Sequence, residues 1–257
     1  MANPALSNNP AFRSNAPVSA ATLEELYQRP SATPADTGRM TYEDTAVKTV
    51  VLFAVLVVTG AVGWFVPGLA IVGALGGFVL AMVNTFKREP SVPLIVGYAA
   101  LEGLFIGGIS SIFDAMWGGV VIQAVLATLV TVGVTLALFA SGRIRASARA
   151  TKIFLIAMVG YLVFSLLNVV LQLTGVLDQP FGLSSAKIGG IPLGVVIGLL
   201  VVVMAAYSLV LDFDQIQQGV RRGLPAKYGW TGAFGLMVTI VWLYVEFLRI
   251  FAVIRNS

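Results

Sequence analysis

Five runs of uncharged residues, Thr49–Val66, Leu69–Phe86, Gly118–Ala140, Ile153–Val176 and Ile188–Leu211, are each long enough to cross a hydrocarbon layer of about 30 Å. Two more stretches, Pro93–Phe113 and Leu236–Ile254, are of similar length but carry charge inside them. No water reaches the backbone in hydrocarbon, so each run must close its own hydrogen bonds as a helix. The composition agrees, because 58% hydrophobic and 11% charged residues in a chain of 257 leave too little polar surface to cover a soluble globule. The expected fold is an all-α membrane protein with seven transmembrane helices. Connections as short as Val66-Pro67-Gly68 join neighbours as antiparallel hairpins and leave no room between them for a soluble domain. The predicted organisation is a cytoplasmic, largely disordered tail over residues 1–47 and a seven-helix domain over residues 48–257.

Positive loops stay on the cytoplasmic side, so the basic residues orient the bundle. With the N-terminus inside, Arg39, Lys48, Lys87, Arg88, Arg143, Arg145, Arg149, Lys152, Arg221, Arg222 and Lys227 all fall inside, against Lys187 and Arg255 outside. An odd number of spans then sends the C-terminus outside. The net charge of +4 reads as a topology signal and a match to anionic lipid. No aromatic-basic surface points to nucleic acid. The tail is rich in Asn, Ser, Ala and Pro, contains no apolar core of a secretory signal, and is read as cytoplasmic. Thr22 with Glu25, and Thr41 with Asp44, have capping-box spacing, which predicts an ordered start to the first span and, near Leu23–Gln28, either a short helix or plain disorder up to Arg39.

The chain has no Cys and no His, and the second absence excludes whole classes of chemistry. Serine proteolysis through a Ser–His pair and H-E-x-x-H zinc proteolysis both need imidazole. A retinal pigment needs a Lys within a span, whereas every Lys here lies at a span end or in a loop. An intramembrane aspartyl protease would carry a Gly-x-Gly-Asp signature, which is missing. The protein is therefore not read as an enzyme, and no cofactor other than a calcium ion is expected.

Function is sought instead in the carboxylates stranded in apolar sequence: Glu102 in VGYAALEGLFIGGIS, Asp212 with Asp214 in AAYSLVLDFDQI, and Glu246 in VWLYVEFLRIF. An ionised acid at bilayer depth costs roughly 2.5–3.5 kcal/mol on insertion scales, so it persists only where it faces protein, water or an ion. Helical spacing gives three polar lines that mark interior faces. Tyr161, Ser165, Asn168 and Gln172 form one on the fifth span, Ser208, Asp212 and Gln215 another on the sixth, and Thr239, Trp242, Glu246 and Arg249 a third on the seventh. Such lines can equally be interhelical hydrogen bonding that only holds a bundle together. Gly73 with Gly77, Gly103 with Gly107, and Gly190, Gly194 and Gly198 predict close backbone packing. Asp212 and Asp214 are two residues apart and point to opposite sides of one helix. Whether Asp212 meets Glu246 depends on where the last helix begins. A start near Leu236 brings Glu246 to middle depth, and a start near Tyr228 carries it toward the far side.

Taken together, MTYEDTAVKT, LEGLFIGGIS, SLVLDFDQI and WLYVEFLRIF, in that order and at those spans, resemble the Bax inhibitor 1 / YccA-like family over about residues 40–254. The resemblance implies a seventh helix enclosed by the other six. It also implies an acid pair between the sixth and seventh helices that gates a calcium leak with pH. By position Asp212 matches the sixth-helix acid, Glu246 the seventh-helix acid and Glu102 the third-span Glu. The chain departs from the pattern in Asp212-Phe213-Asp214-Gln215, in a Glu at the seventh helix, and in a longer stretch between these motifs, and Arg249 is spaced to neutralise Glu246 as a structural ion pair.

The expected function is a pH-sensitive cation (calcium) leak channel or transporter gated by buried carboxylates. Glu102, Asp212, Asp214, Glu246 and Arg249 are the candidate ion path, Tyr161, Ser165, Asn168 and Gln172 its polar lining, and Glu102, Asp212 and Glu246 a candidate calcium site. Oxygen ligands suit calcium, and the lack of His and Cys argues against zinc, copper or iron. The alternative is a non-conducting regulator of a membrane AAA protease, acting through the tail. The expected partners are lipid, cations or protons, and such a membrane protein, in a bacterial-type inner or cell membrane.

Overall fold

The computed structural model describes residues 38–177, 179 and 181–256. Its main elements are α1 (Tyr42–Phe65), α2 (Leu69–Phe86), α3 (Val92–Met116), α4 (Val120–Ala140), α5 (Ala148–Leu173), α6 (Leu193–Arg221) and α7 (Gly229–Arg255). Among the described residues, seven helices are long and apolar enough to cross a membrane. The helix predicted near Leu23–Gln28 lies outside the described residues.

The helix starts follow from local chemistry. Thr41 caps α1 as its spacing predicts, its side chain accepting a 3.0 Å hydrogen bond from the Asp44 amide, and Glu43 and Asp44 face the positive end of the helix dipole. That cap starts α1 at Tyr42, ahead of the boundary expected at residue 48. Lys48 then sits inside the helix, its ammonium drawn toward the end, where it meets Asp44 at 2.5 Å and the Ala226 carbonyl at 2.7 Å. Pro93 occupies the first turn of α3, where a missing N–H costs nothing, and Ser147 caps α5.

Two boundaries differ from expectation in ways that matter for the site. Hydropathy alone runs the sixth span from Ile188, but Lys187–Ile188 and Ile191–Pro192 pair as a small antiparallel hairpin, and α6 begins at Leu193. Gly189 and Gly190 make the reversal at φ +59° and +85°, so Gly190 belongs to a turn and leaves the glycine seam to Gly194 and Gly198. At its other end α6 runs on to Arg221, well past Leu211. The last helix begins at Gly229, not near Leu236, because a single 3-10 turn over Ala226–Tyr228 leads directly into it.

Three buried apolar clusters hold the bundle, and α7 contributes to each. Ala233, Phe234, Met237 and Val241 pack with Leu52, Leu56, Ile95, Tyr98 and Ala99. Leu236 and Leu243 pack with Met40, Ala205, Leu209 and Ile216, while Tyr244 and Leu248 pack with Val120 and Ala124. Thus α7 lies against α1, α3, α4 and α6. The α2 helix leans on α3, and α5 leans on α6 and on the Gly182–Ser185 turn, with none of its residues fully buried. The α1–α3 contact is a glycine seam: a Cβ on Gly107 would collide with the Gly60 carbonyl, and one on Gly103 with Thr59 and the Leu56 carbonyl.

Candidate functional site

Asp212 lies on α6 where that helix faces the first half of α7. The Thr239 hydroxyl donates to its Oδ2 at 2.6 Å, and the Ser208 hydroxyl lies 3.3 Å from the Thr239 oxygen. Ser208 and Asp212, one turn apart, therefore share one partner across the helix pair. A cavity of about 160 Å³ reaches this carboxylate, lined among others by Met40, Gln215, Tyr228, Thr231, Gly232 and Gly235. It lies toward the end of the bundle that carries most of the basic residues. Asp214 turns away, as its spacing predicts, and accepts a 2.6 Å hydrogen bond from the Gln218 side chain on the helix surface. Of the sixth-span polar line, Ser208 and Asp212 meet at Thr239, while Gln215 is exposed and lines the cavity mouth.

Glu246 lies seven residues beyond Thr239 on α7, about 10 Å further along the axis. It is 3% exposed and fully engaged. The Arg249 guanidinium forks onto both its oxygens, and the Tyr161 hydroxyl donates to Oε2 at 3.2 Å. Arg249 also donates to Ser184 Oγ at 3.3 Å. Such a charged, multiply hydrogen-bonded pair satisfies an acid that would otherwise not be tolerated at this depth. α6 makes room for it with Gly198, where a Cβ would collide with Ile250 and crowd Glu246.

The fifth-span stripe faces this pair. Tyr161, Ser165, Asn168, Gln172, Ser184 and Arg249 line a second cavity of about 180 Å³. Asn168 holds its rim, since its Oδ1 accepts from the Leu183 amide at 2.7 Å and its Nδ2 donates to the Phe181 carbonyl at 3.4 Å. Ser184 was not foreseen: it lies in a loop with no periodic pattern, and only folding of the Gly182–Ser185 turn brings it to Arg249.

The expected Asp212–Glu246 pair does not form. Because α7 starts at Gly229, Glu246 lies about 25 Å along it and passes Asp212 on the way to the far side. Each acid finds a different partner, Thr239 for one and Arg249 for the other. Between the two cavities the α6–α7 contact is dry: Ala205, Leu209 and Leu243 are fully buried there.

Glu102 belongs to neither place. It lies on α3 toward α2, one turn after Tyr98, and Gly77 of α2 approaches its carboxylate. The Tyr98 ring itself stands edge-on to Phe234 of α7 at 5.1 Å. Among the described residues no three acidic, His or Cys side chains gather around a point that could hold a metal. The calcium site expected from Glu102, Asp212 and Glu246 is not assembled, because the three acids lie on different helix contacts.

A comparison with protein families matches the chain to the family described as Bax inhibitor 1 like over residues 3–256. That match extends through the tail, beyond the span of residues 40–254 expected from the motifs. No curated protein matches the chain.

Proposed function

The chain belongs to the Bax inhibitor 1-like family, and from that premise we propose that it is a pH-sensitive cation leak, calcium being the ion suited to its oxygen ligands, in its closed state. The observation that carries this reading is the pair of cavities along α6 and α7, one ending at Asp212 and the other at the Glu246–Arg249 pair, with Ala205, Leu209 and Leu243 between them. A dry layer of that kind blocks hydrated ions. Conduction then needs α7 to shift against α6. The contacts that oppose such a shift are the Thr239–Asp212 hydrogen bond on one side of the layer and the Glu246–Arg249–Ser184 chain on the other.

In this mechanism Asp212 is the proton-responsive group. A proton gained or lost there changes the charge that Thr239 must satisfy and so changes how firmly α6 holds α7. Glu246 and Arg249 together are neutral and act as an outer clasp. Calcium would meet the acids one after another instead of resting in a cage, and water would supply the remaining ligands. Glu102 is left as a separate half-buried acid at the α2–α3 seam. The N-terminus lies inside and the C-terminus outside a bacterial-type cell membrane, by the basic-residue bias.

The second reading is a non-conducting regulator of another membrane protein. It is favoured by the internal neutralisation of Glu246 by Arg249, which lets that acid be purely structural. The purified chain in liposomes that enclose a calcium dye separates the two. Calcium entry that changes with pH and loses that dependence in Asp212→Asn supports the leak. Silence at every pH, with the protein folded, leaves the regulator.

A further inference from the structure

The residues just before α1 do not simply hang from the bundle. Gly38, at φ +64°, turns the chain so that Arg39 runs antiparallel to Pro225 in an isolated bridge. The Met40 amide donates to the Leu224 carbonyl at 2.7 Å, and the Ala226 amide donates to the Gly38 carbonyl at 2.8 Å. Arg39 lies along Gly223, and the ammonium of Lys48 fastens the Ala226 carbonyl from α1. The segment that receives all four contacts is the turn between α6 and α7.

Met40 then points inward. It is 3% exposed, packs with Leu209, Ile216, Leu236 and Leu243, and forms a wall of the cavity that ends at Asp212. Gly219 of α6 leaves space for it, since a Cβ there would come within 3.0 Å of the Met40 sulfur. One short segment therefore both ties the turn that joins α6 to α7 and forms one wall of the cavity beside Asp212.

We propose that residues 38–40 are a strap that controls access to Asp212, so that anything detaching them from the α6–α7 turn opens the cavity. The strap's inner side is a single unbranched thioether side chain, which can leave its slot without breaking a hydrogen bond. Its outer side is two backbone hydrogen bonds to the turn, the kind of local structure that opens well below the free energy of global unfolding. The consequence reaches beyond ion conduction. A leak and a regulator alike would present a changed α6–α7 surface when the strap is released.

The test uses the full chain, which has no native thiol. Gly235→Cys places a probe in the cavity wall, where a Cβ would make only an ordinary 3.4 Å contact with Asp212. Its reaction with a charged methanethiosulfonate is followed by peptide mass spectrometry in liposomes. Met40→Ala should raise the rate at position 235 by about tenfold or more if opening of the strap limits access. Arg39→Cys with Pro225→Cys should form a disulfide, because directly opposed antiparallel partners have the separation a disulfide needs. The locked strap should slow labelling at position 235, and reduction should restore it. Equal rates in the parent, the Met40→Ala chain and the locked chain would overturn the proposal. If Met40→Ala does not fold, the locked chain decides alone: labelling as fast as in the parent refutes the strap, and labelling slowed until reduction supports it.

Discussion

The Thr239 hydroxyl donates to the Asp212 carboxylate across 2.6 Å and joins α7 to α6 about two turns short of Glu246. The α7 carboxylate that the family resemblance pairs with Asp212 is thus replaced, as a partner, by a hydroxyl. Thr239→Val keeps the shape and removes the donor, so it should lower stability by about 1–3 kcal/mol, the cost of an unpaired buried acceptor. A double-mutant cycle with Asp212→Asn should show a coupling of about 0.5–3 kcal/mol, whereas Asp212→Asn with Glu246→Gln should add within about 0.3–0.5 kcal/mol. Thermal unfolding in detergent reads both cycles, and strong coupling between Asp212 and Glu246 would contradict the geometry.

Arg249→Gln leaves Glu246 buried with only the Tyr161 hydroxyl, and removing one partner of a buried pair costs about 3–5 kcal/mol. The double change Glu246→Gln with Arg249→Gln should recover most of that, because no uncompensated charge remains. A double variant as unstable as Arg249→Gln alone would mean that the pair also matters as a shape.

Glycine positions divide sharply by what lies opposite them. Gly107→Ala would drive a methyl group into the Gly60 backbone of α1 and should separate α1 from α3, whereas Gly133 of α4 has nothing within 4 Å of its Cβ position. Gly133→Ala should therefore leave the melting temperature unchanged or raise it, with about 1 kcal/mol or less in hand from helix propensity. The melting temperatures of the two variants should move in opposite directions or differ widely.

A Cys added after Ser257 should react with an impermeant thiol reagent from outside the cell and not from inside, given the basic-residue bias. The chain's lack of native Cys makes the readout unambiguous. Reaction from the cytoplasmic side alone would reverse the proposed orientation.

The seven helices were legible because membrane length and apolarity are properties of contiguous residues, and hydrocarbon permits no other backbone state at such places. The α1 cap was legible for a similar reason, since Thr41 and Asp44 are neighbours on the same turn. The fifth-span stripe was visible as spacing, and it does face one cavity. What stayed hidden in each case was the partner. Nothing near Ser184 in the chain points to Arg249, and nothing near Met40 points to the space beside Asp212.

Helix ends made the largest difference. Hydropathy weighs apolarity and does not see that a 3-10 turn at Ala226–Tyr228 can start α7 while Gly229, Thr231 and Gly232 are still passing the end of α6. Seven residues of earlier start move Glu246 by about 10 Å along the axis, enough to exchange one partner for another. The sequence by itself determined that this chain spans a membrane, how many times, and that its acids must be sheltered, because those follow from the cost of charge and bare backbone in hydrocarbon. Which group shelters each acid was decided only by the tertiary structure, because the axial offset between packed helices depends on contacts such as Gly198 with Ile250 and Met40 with Gly219 that no single segment contains.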